Sequence, residues 1–382
     1  MVNFTYCNPT RIEFGKGKEK DIGAYIASQK IKKILLCYGS ERVKKDGLLS
    51  AITNSLSSYN IKFIEFSGIV SNPKLSKVYE GIETAKKEKI EGLLAVGGGS
   101  VLDSAKAIAA GFYYDGDVWD FFIKKAPVEK ALPVFDVMTL AATGSEMNGY
   151  AVITNEKTKQ KYSIASQAIY PRISVINPEL MKTVSRQYLA YSAVDIIAHV
   201  IEGYFNATVQ PHLQSRLVES IVQTVMETTE ILLKEPNNYV SRAEFAWAST
   251  LALNGLTTAG TETFIYPNHL IEHSLSALFD IAHGAGLAIV IPAWMKWYYK
   301  RNESQFKRFS KTIFNLSDSL EGIYALEKWF KKIGAPTKLS DALIDASYIE
   351  SIAENAQEMS KLNGLDKIYN KATIIEILKL AV

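Results

Sequence analysis

Five histidines occur in the 382 residues of this chain. Four of them, His199, His269, His273 and His283, fall in the stretch that opens at Asp195. Imidazole and carboxylate are ligands for borderline divalent metals. Asp195 and His199 lie four apart in the run from Tyr191 to Phe205, which is too apolar for a surface helix and reads as a buried one. Residues spaced i, i+4 project from one helical face. A buried carboxylate beside a buried imidazole is costly unless something pairs with both, and a divalent metal would do so. His269 and His273 share a second helical face in His269-Leu-Ile-Glu-His273. In one unbroken helix His283 would lie about 21 Å along the axis from His269, at roughly 1.5 Å per residue, too far for one ion. Either His283 is not a ligand, or the chain breaks near Phe279-Asp280 and returns it on a new element. Gly284 and Gly286 are compatible with such a break. A single histidine of this kind is more often a core residue bonded to backbone, but an aspartate with four histidines favours a metal.

These residues need elements to position them, and the first half of the chain supplies an alternating pattern. Ile31–Tyr38, Ile61–Phe66, Gly92–Val96 and Pro133–Thr139 read as strands, with helical spacing at Leu48–Tyr59 and Ser76–Lys89. Strands separated by helix-length segments imply βαβ units and a parallel sheet, which binds ligands at the carboxyl ends of its strands. Gly97-Gly98-Gly99-Ser100 falls at such an end and opens the helix from Val101. Its glycines let backbone N–H groups approach a phosphate, whose charge a helix N-terminus favours. Ser100 with Asp103 also fits a capping box. The turn lacks the Walker A ending and the third Rossmann glycine. A second polar turn, from Thr139 through Thr143 to Asn148, follows the next strand. The first strand ends in Gly39-Ser40-Glu41-Arg42-Val43-Lys44-Lys45. An acid there would bind a ribose 2′-hydroxyl and repel a 2′-phosphate, so a small then basic end favours NADP(H) over NAD(H), with Glu41 dissenting.

From Ser185 onward helical patterns dominate, as at Leu213–Leu233, Ser241–Leu256 and Leu339–Asn355. Ile173–Ile176 is the last strand-like run, which puts the junction near Glu179. The expected architecture is an α/β dinucleotide-binding domain with a parallel sheet, residues 1–179, followed by an all-α metal-binding and catalytic domain, residues 180–382. With 47% hydrophobic and 22% charged residues the composition is that of a soluble globular protein. A net charge of +3 makes no case for nucleic acid or an acidic membrane. Cys7 and Cys37 provide no disulfide framework, and the sequence shows neither a signal-peptide pattern nor an apolar span of membrane length. A cytoplasmic enzyme is expected.

Taken in order, Asn8–Gly17, Gly97-Gly-Gly-Ser-Val-Leu-Asp-Ser-Ala-Lys106, Ala142-Thr-Gly-Ser-Glu-Met-Asn148, Asp195-x-x-x-His199 and the block ending His283-Gly-Ala-Gly286 resemble the iron-containing (group III) alcohol dehydrogenases. The likeness is nearest to the NADPH-dependent butanol dehydrogenases and aldehyde reductases, and it runs along the whole chain. It implies one divalent metal, Fe²⁺ or Zn²⁺, on Asp195, His199, His269 and His283. His273 is then a non-ligand near the nicotinamide and, with Asp195, a catalytic residue. It further implies cofactor contacts at Gly39, Ser40, Arg42, Lys44, Gly97, Gly98, Gly99, Ser100, Asp103, Thr139, Thr143, Asn148 and Lys161. Relatives preferring NAD(H) commonly have an acid at the position of Gly39. Asn177-Pro178 departs from the frequent Asp-Pro of relatives. The expected activity is hydride transfer between NADP(H) and a small aliphatic aldehyde or primary alcohol, in a homodimer, with the metal as Lewis acid on the substrate oxygen.

Two other readings compete. A carbon–oxygen lyase like dehydroquinate synthase shares the architecture but calls for a more basic site. His269-Leu-Ile-Glu-His273 also matches the His-x-x-Glu-His metalloprotease pattern, with Glu272 as general base.

Overall fold

In the computed structural model, which describes residues 1–39 and 42–382, the chain divides into two units. One is Asn8–Thr183, and the other is Val184–Val382 together with Met1–Cys7. The sequence-based boundary at 179/180 assigned those first seven residues to the α/β domain. The structure packs them instead with the helical unit. The Val2 amide donates to the Gly260 carbonyl at 3.0 Å, and the Met1 and Phe4 side chains lie over Gly260.

The strands of the α/β unit are β1 (Arg11–Phe14), β2 (Lys33–Tyr38), β3 (Lys62–Phe66), β4 (Gly92–Gly97), β5 (Val134–Met138), β6 (Tyr150–Asn155), β7 (Gln160–Ala165) and β8 (Ile173–Ile176). Among the described residues, six form one sheet in the order β1-β8-β5-β4-β2-β3, with every pairing parallel. Central β4 and β5 are buried at every position, the mark of a parallel sheet covered on both faces. Parallel strands bring their carboxyl ends to one edge, so the ends of β2, β4 and β5 share an edge. There the Thr139 amide donates to the Gly97 carbonyl at 2.9 Å. The antiparallel hairpin of β6 and β7 was not anticipated. Its connecting turn, Glu156–Lys159, has no glycine or proline and places Lys159 in the left-handed region (φ 56°), so the usual hairpin signal is missing.

Beneath the glycine turn lies a closed polar network. Lys106 is fully buried and donates to the Ser145 carbonyl (2.7 Å) and hydroxyl (2.8 Å), the Asn148 carbonyl (2.8 Å) and side chain (3.2 Å), and the Tyr150 carbonyl (2.9 Å). Burial pulls its ammonium down to about 8, against the opposing charge of Asp103, Asp136 and Glu146. Asp103 accepts from the Ser145 hydroxyl at 2.7 Å and the Val152 amide at 2.9 Å. The helix Gly99–Gly111 is thereby joined to the loop after β5 and to the hairpin.

The second unit is built from the helices Arg186–Asn206, His212–Lys234, Tyr239–Ala252, Pro267–Phe279, His283–Tyr298, Glu303–Phe314, Ser319–Ile333, Ile349–Leu362 and Lys371–Lys379. The helix expected over Leu339–Asn355 begins only at Ile349. Asp341 accepts from the Thr337 and Lys338 amides at 3.0 and 3.1 Å, and Asp345 accepts from Ser347 at 2.8 Å. These side chains hold short 3₁₀ turns in competition with the α-helix, and Leu343 turns left-handed at φ 59°.

Replacing Lys106 with Met would leave several buried acceptors unpaired. The expected destabilisation is at least about 2 kcal/mol, since each buried polar group stranded this way costs about 1–3 kcal/mol. Urea unfolding of both proteins measures it. A variant within about 0.5 kcal/mol of the parent, the range of an ordinary surface change, would show that the network is redundant.

Candidate functional site

The two halves of the histidine stretch meet because the chain breaks where His283 needs it to. The helix Pro267–Phe279 stops at Asp280, which is left-handed (φ 53°), and a new helix opens at His283 behind Ala282. This second helix comes close against the helix Arg186–Asn206. A Cβ on Gly284 would stand 2.1 Å from the Tyr191 carbonyl oxygen, so only glycine permits the approach.

That approach puts Asp195 Oδ1 3.5 Å from His199 Nε2, 3.6 Å from His283 Nε2 and 3.9 Å from His269 Nε2. These separations are too long for good hydrogen bonds. They match the edge of a tetrahedron: ligands about 2.1 Å from a common ion lie about 3.4 Å apart. All four side chains are buried or largely so. His269 Nε2 is buried and carries no hydrogen bond to the protein, a vacancy of partnership that a cation at the centre of the donor set would end. The donors are three nitrogens and one oxygen, suited to Fe²⁺ or Zn²⁺.

Glu202, which spacing did not single out, and Glu272, expected only as the base of the protease reading, complete the site. Glu202 and Glu272 are fully buried. Glu202 Oε1 lies 2.5 Å from His269 Nδ1 and its carboxylate accepts the Asn268 amide at 2.9 Å. Glu272 bonds His283 Nδ1 through one oxygen and accepts the Ser276 hydroxyl through the other. Each stands three residues after a histidine of its own helix yet serves a histidine elsewhere. The available signal was a carboxylate inside an otherwise apolar helix, which is rare unless paired. Burial holds His199 well below the usual histidine value, helped by the neighbouring His269 and His283. For His269 burial acts in the same direction, but the charge and hydrogen bond of Glu202 outweigh it and the net shift is upward.

His273 is also buried, its ring 5.6 Å from that of His283 and 6.4 Å from that of His269. It groups with Glu272 and His283, the three offering donor atoms within 4.8 Å of one another. The His-x-x-Glu-His protease reading needs Glu272 as a base toward substrate. Both its oxygens are engaged with His283 and Ser276, so the geometry opposes that reading.

In the α/β unit the glycine turn follows β4 as expected. A Cβ on Gly99 would stand 2.4 Å from Thr143 Oγ1, which ties the turn closely to the second polar loop. Ser100 and Asp103 form no capping box: the N-cap is Gly98, and Asp103 turns inward to Ser145 and Val152. Asn148 accepts the Tyr150 amide at 2.9 Å and donates to the Gly144 carbonyl at 2.8 Å, while Lys161 bonds Asn72 at 3.0 Å. These three side chains support the site's frame. Thr139 and Thr143 stand half-buried at the strand edge. Gly39 has a packing reason of its own, since a Cβ there would meet the Ile69 carbonyl at 2.8 Å. Arg42 pairs with Asp46 at 3.3 Å, and Lys44 with Glu65 at 3.7 Å. Both are exposed. Ser40 lies outside the described residues, as does Glu41.

Comparison with known proteins gives two family matches. The model described as "Iron-containing alcohol dehydrogenase" matches residues 9–178, and that described as "Fe-containing alcohol dehydrogenase family, C-terminal" matches residues 189–382. A probable NADH-dependent butanol dehydrogenase 1 of Bacillus subtilis is 38% identical, with 99% of each chain covered. The NADPH-dependent aldehyde reductase YqhD of Escherichia coli is 34% identical over 94% of each. Among solved structures, NADH-dependent butanol dehydrogenase A from Thermotoga maritima superimposes with a TM-score of 0.98 at 48% identity, covering 100% of this chain and 99% of that one.

Gly284→Ala forces the Cβ into the Tyr191 backbone. The expected cost is about 1–3 kcal/mol, the range for overpacking a filled interior, with a lower Tm by calorimetry. An unchanged Tm would mean that the two helices separate freely.

Proposed function

The chain belongs to the iron-containing alcohol dehydrogenase family and is an oxidoreductase of the alcohol dehydrogenase and aldehyde reductase type, and we propose that its metal is held by Asp195, His199, His269 and His283. The observation that carries this reading is the single oxygen of Asp195 facing three imidazole nitrogens at 3.5 to 3.9 Å. When bound, the metal supplies a Lewis acid for the substrate oxygen and the nicotinamide supplies or accepts hydride. The chain's own residues do the rest. Asp195 brings negative charge that neutral imidazoles lack, and so retains the ion. His273, buried beside the donor set but outside it, carries the proton that accompanies reduction or oxidation at the substrate oxygen. Gly97, Gly98, Gly99 and Ser100 cradle the cofactor phosphates at the start of the helix Gly99–Gly111, where the first-turn amides and the helix dipole favour anions. Thr139 and Thr143 add hydroxyls at the same strand edge.

The substrate proposed is a small aliphatic aldehyde or primary alcohol, supported by the butanol dehydrogenase and aldehyde reductase names of full-length relatives. The cofactor proposed is NADP(H). Relatives carry both NADH-dependent and NADPH-dependent names, so the support is chemical. No side chain at Gly39 opposes a 2′-phosphate, and the exposed cations Arg42 and Lys44 follow it.

Two measurements test the reading. By metal analysis, His269→Ala and His283→Ala should lose the ion, whereas His273→Ala should keep it and turn over more slowly. Metal missing from His273→Ala but present in His283→Ala would overturn the ligand set. In steady-state kinetics kcat/KM for NADPH should exceed that for NADH at least about tenfold, equivalent to about 1.4 kcal/mol. Arg42→Glu should narrow or invert that ratio, and it avoids the backbone clash an acid at residue 39 would cause. Equal use of both cofactors by the parent enzyme would sink the NADP(H) assignment.

A further inference from the structure

Each imidazole nitrogen that faces Asp195 Oδ1 is an Nε2. To coordinate, a neutral imidazole must carry its proton on the other nitrogen, Nδ1, and must keep its ring plane fixed. Left to itself in a buried site, a histidine would sample both tautomers and more than one ring orientation. For two of the three rings the structure removes that freedom. Glu202 receives the His269 Nδ1 proton at 2.5 Å, and Glu272 receives that of His283. An ionised carboxylate only accepts, so the proton of each ring stays on Nδ1 and the Nε2 lone pair is left for an ion.

The two carboxylates are themselves immobilised. Glu202 takes the Asn268 amide at 2.9 Å and the His269 amide at 3.3 Å, so it satisfies the amino end of the helix Pro267–Phe279 while orienting the first histidine of that helix. Glu272 is held on its far side by the Ser276 hydroxyl. It has room because residue 286 is glycine: a Cβ there would lie 2.7 Å from both Cγ and Oε1 of Glu272. His199 has no equivalent, its Nδ1 being buried without a hydrogen bond to the protein.

We infer that Glu202 and Glu272 are positioning residues of the metal centre, each locking the tautomer and orientation of one ligand imidazole so that the site is formed before the ion arrives. The inference rests on the ligand reading above. It adds that affinity for the ion depends on two side chains that never touch it, and that the three histidines are unequal.

Apoprotein is titrated with Co²⁺ or Zn²⁺ against a competing chelator, and the visible absorption of bound Co²⁺ is recorded. Glu202→Gln and Glu272→Gln should each weaken binding about 10–100-fold, the loss typical of removing a carboxylate behind a ligating histidine, and should alter the Co²⁺ spectrum. His269→Ala and His283→Ala run beside them as ligand deletions. If these also bind as tightly as the parent, the ligand reading itself fails. If they lose the ion while both glutamine variants bind with parental affinity and spectrum, the positioning role is overturned and the ligand set stands. Should a glutamine variant fail to fold by circular dichroism, Ser276→Ala decides, because it removes the hydroxyl that holds Glu272; that hydroxyl's other contact is a longer one of 3.3 Å to the Ile281 carbonyl. A several-fold loss of affinity supports the inference, and parental affinity overturns it.

Discussion

The helical unit is governed by one electrostatic constraint, the burial of Asp195, Glu202 and Glu272 together with three imidazoles. Ionised carboxylates in such surroundings are costly unless each is paired or neutralised. Glu202 and Glu272 meet the requirement through imidazole N–H groups, backbone amides and a serine hydroxyl. Asp195 faces three nitrogens at distances that suit a shared cation better than shared protons. The break at Asp280 and the second helix at His283 bring the third nitrogen to within 3.6 Å of that carboxylate.

Close approach is the means by which both units make their sites. Gly284 admits the Tyr191 carbonyl, Gly286 admits the Glu272 side chain, and Gly99 admits Thr143. None of the three has a positive φ, so their glycine identity reflects missing volume rather than backbone freedom. At residue 39 the same reasoning tempers the chemical one. The absent side chain leaves no carboxylate there, and the Ile69 carbonyl, 2.8 Å from where a Cβ would stand, requires glycine on packing grounds alone.

Periodicity and spacing carried most of the architecture. The parallel strands, the glycine turn and the buried Asp-x-x-x-His helix are local patterns, and local patterns survive in sequence. The place of His283 did not follow from spacing, because an unbroken helix and a broken one satisfy the same residues until the left-handed Asp280 is seen. The pairing of Glu202 with His269 and of Glu272 with His283 was hidden for a related reason. Each contact joins residues of different helices, and neither glutamate bonds the histidine three residues before it. The β6–β7 hairpin lacked turn residues, and the stretch from Leu339 to Tyr348 kept a helical pattern of apolar residues while Asp341 and Asp345 bonded the backbone into tighter turns. The internal bonds of Asp103, Asn148 and Lys161, to Ser145, Tyr150 and Asn72, join residues distant in sequence or across a turn and carry no spacing signal.

The two buried polar clusters balance their charges in different ways. Around Lys106 the protein supplies its own cation. Its ammonium is surrounded by carbonyl and side-chain oxygens at 2.7 to 3.2 Å, with Asp103 near enough to offset its charge. Burial pushes the Asp136 carboxyl well above the usual carboxylate range, toward the neutral form, and the Ser174 hydroxyl reaches it at 2.5 Å. That cluster balances its charge internally, which suits a joint between a helix, a loop and a hairpin. Around Asp195 the carboxylate faces histidine nitrogens at 3.5 to 3.9 Å, and burial drives His199 toward its neutral form. That cluster sets three carboxylates against three imidazoles, of which His199 is shifted toward its neutral form by burial while His269, with Glu202 outweighing burial, is shifted upward. On the ligand set proposed above, a bound cation would supply the charge that balances these carboxylates.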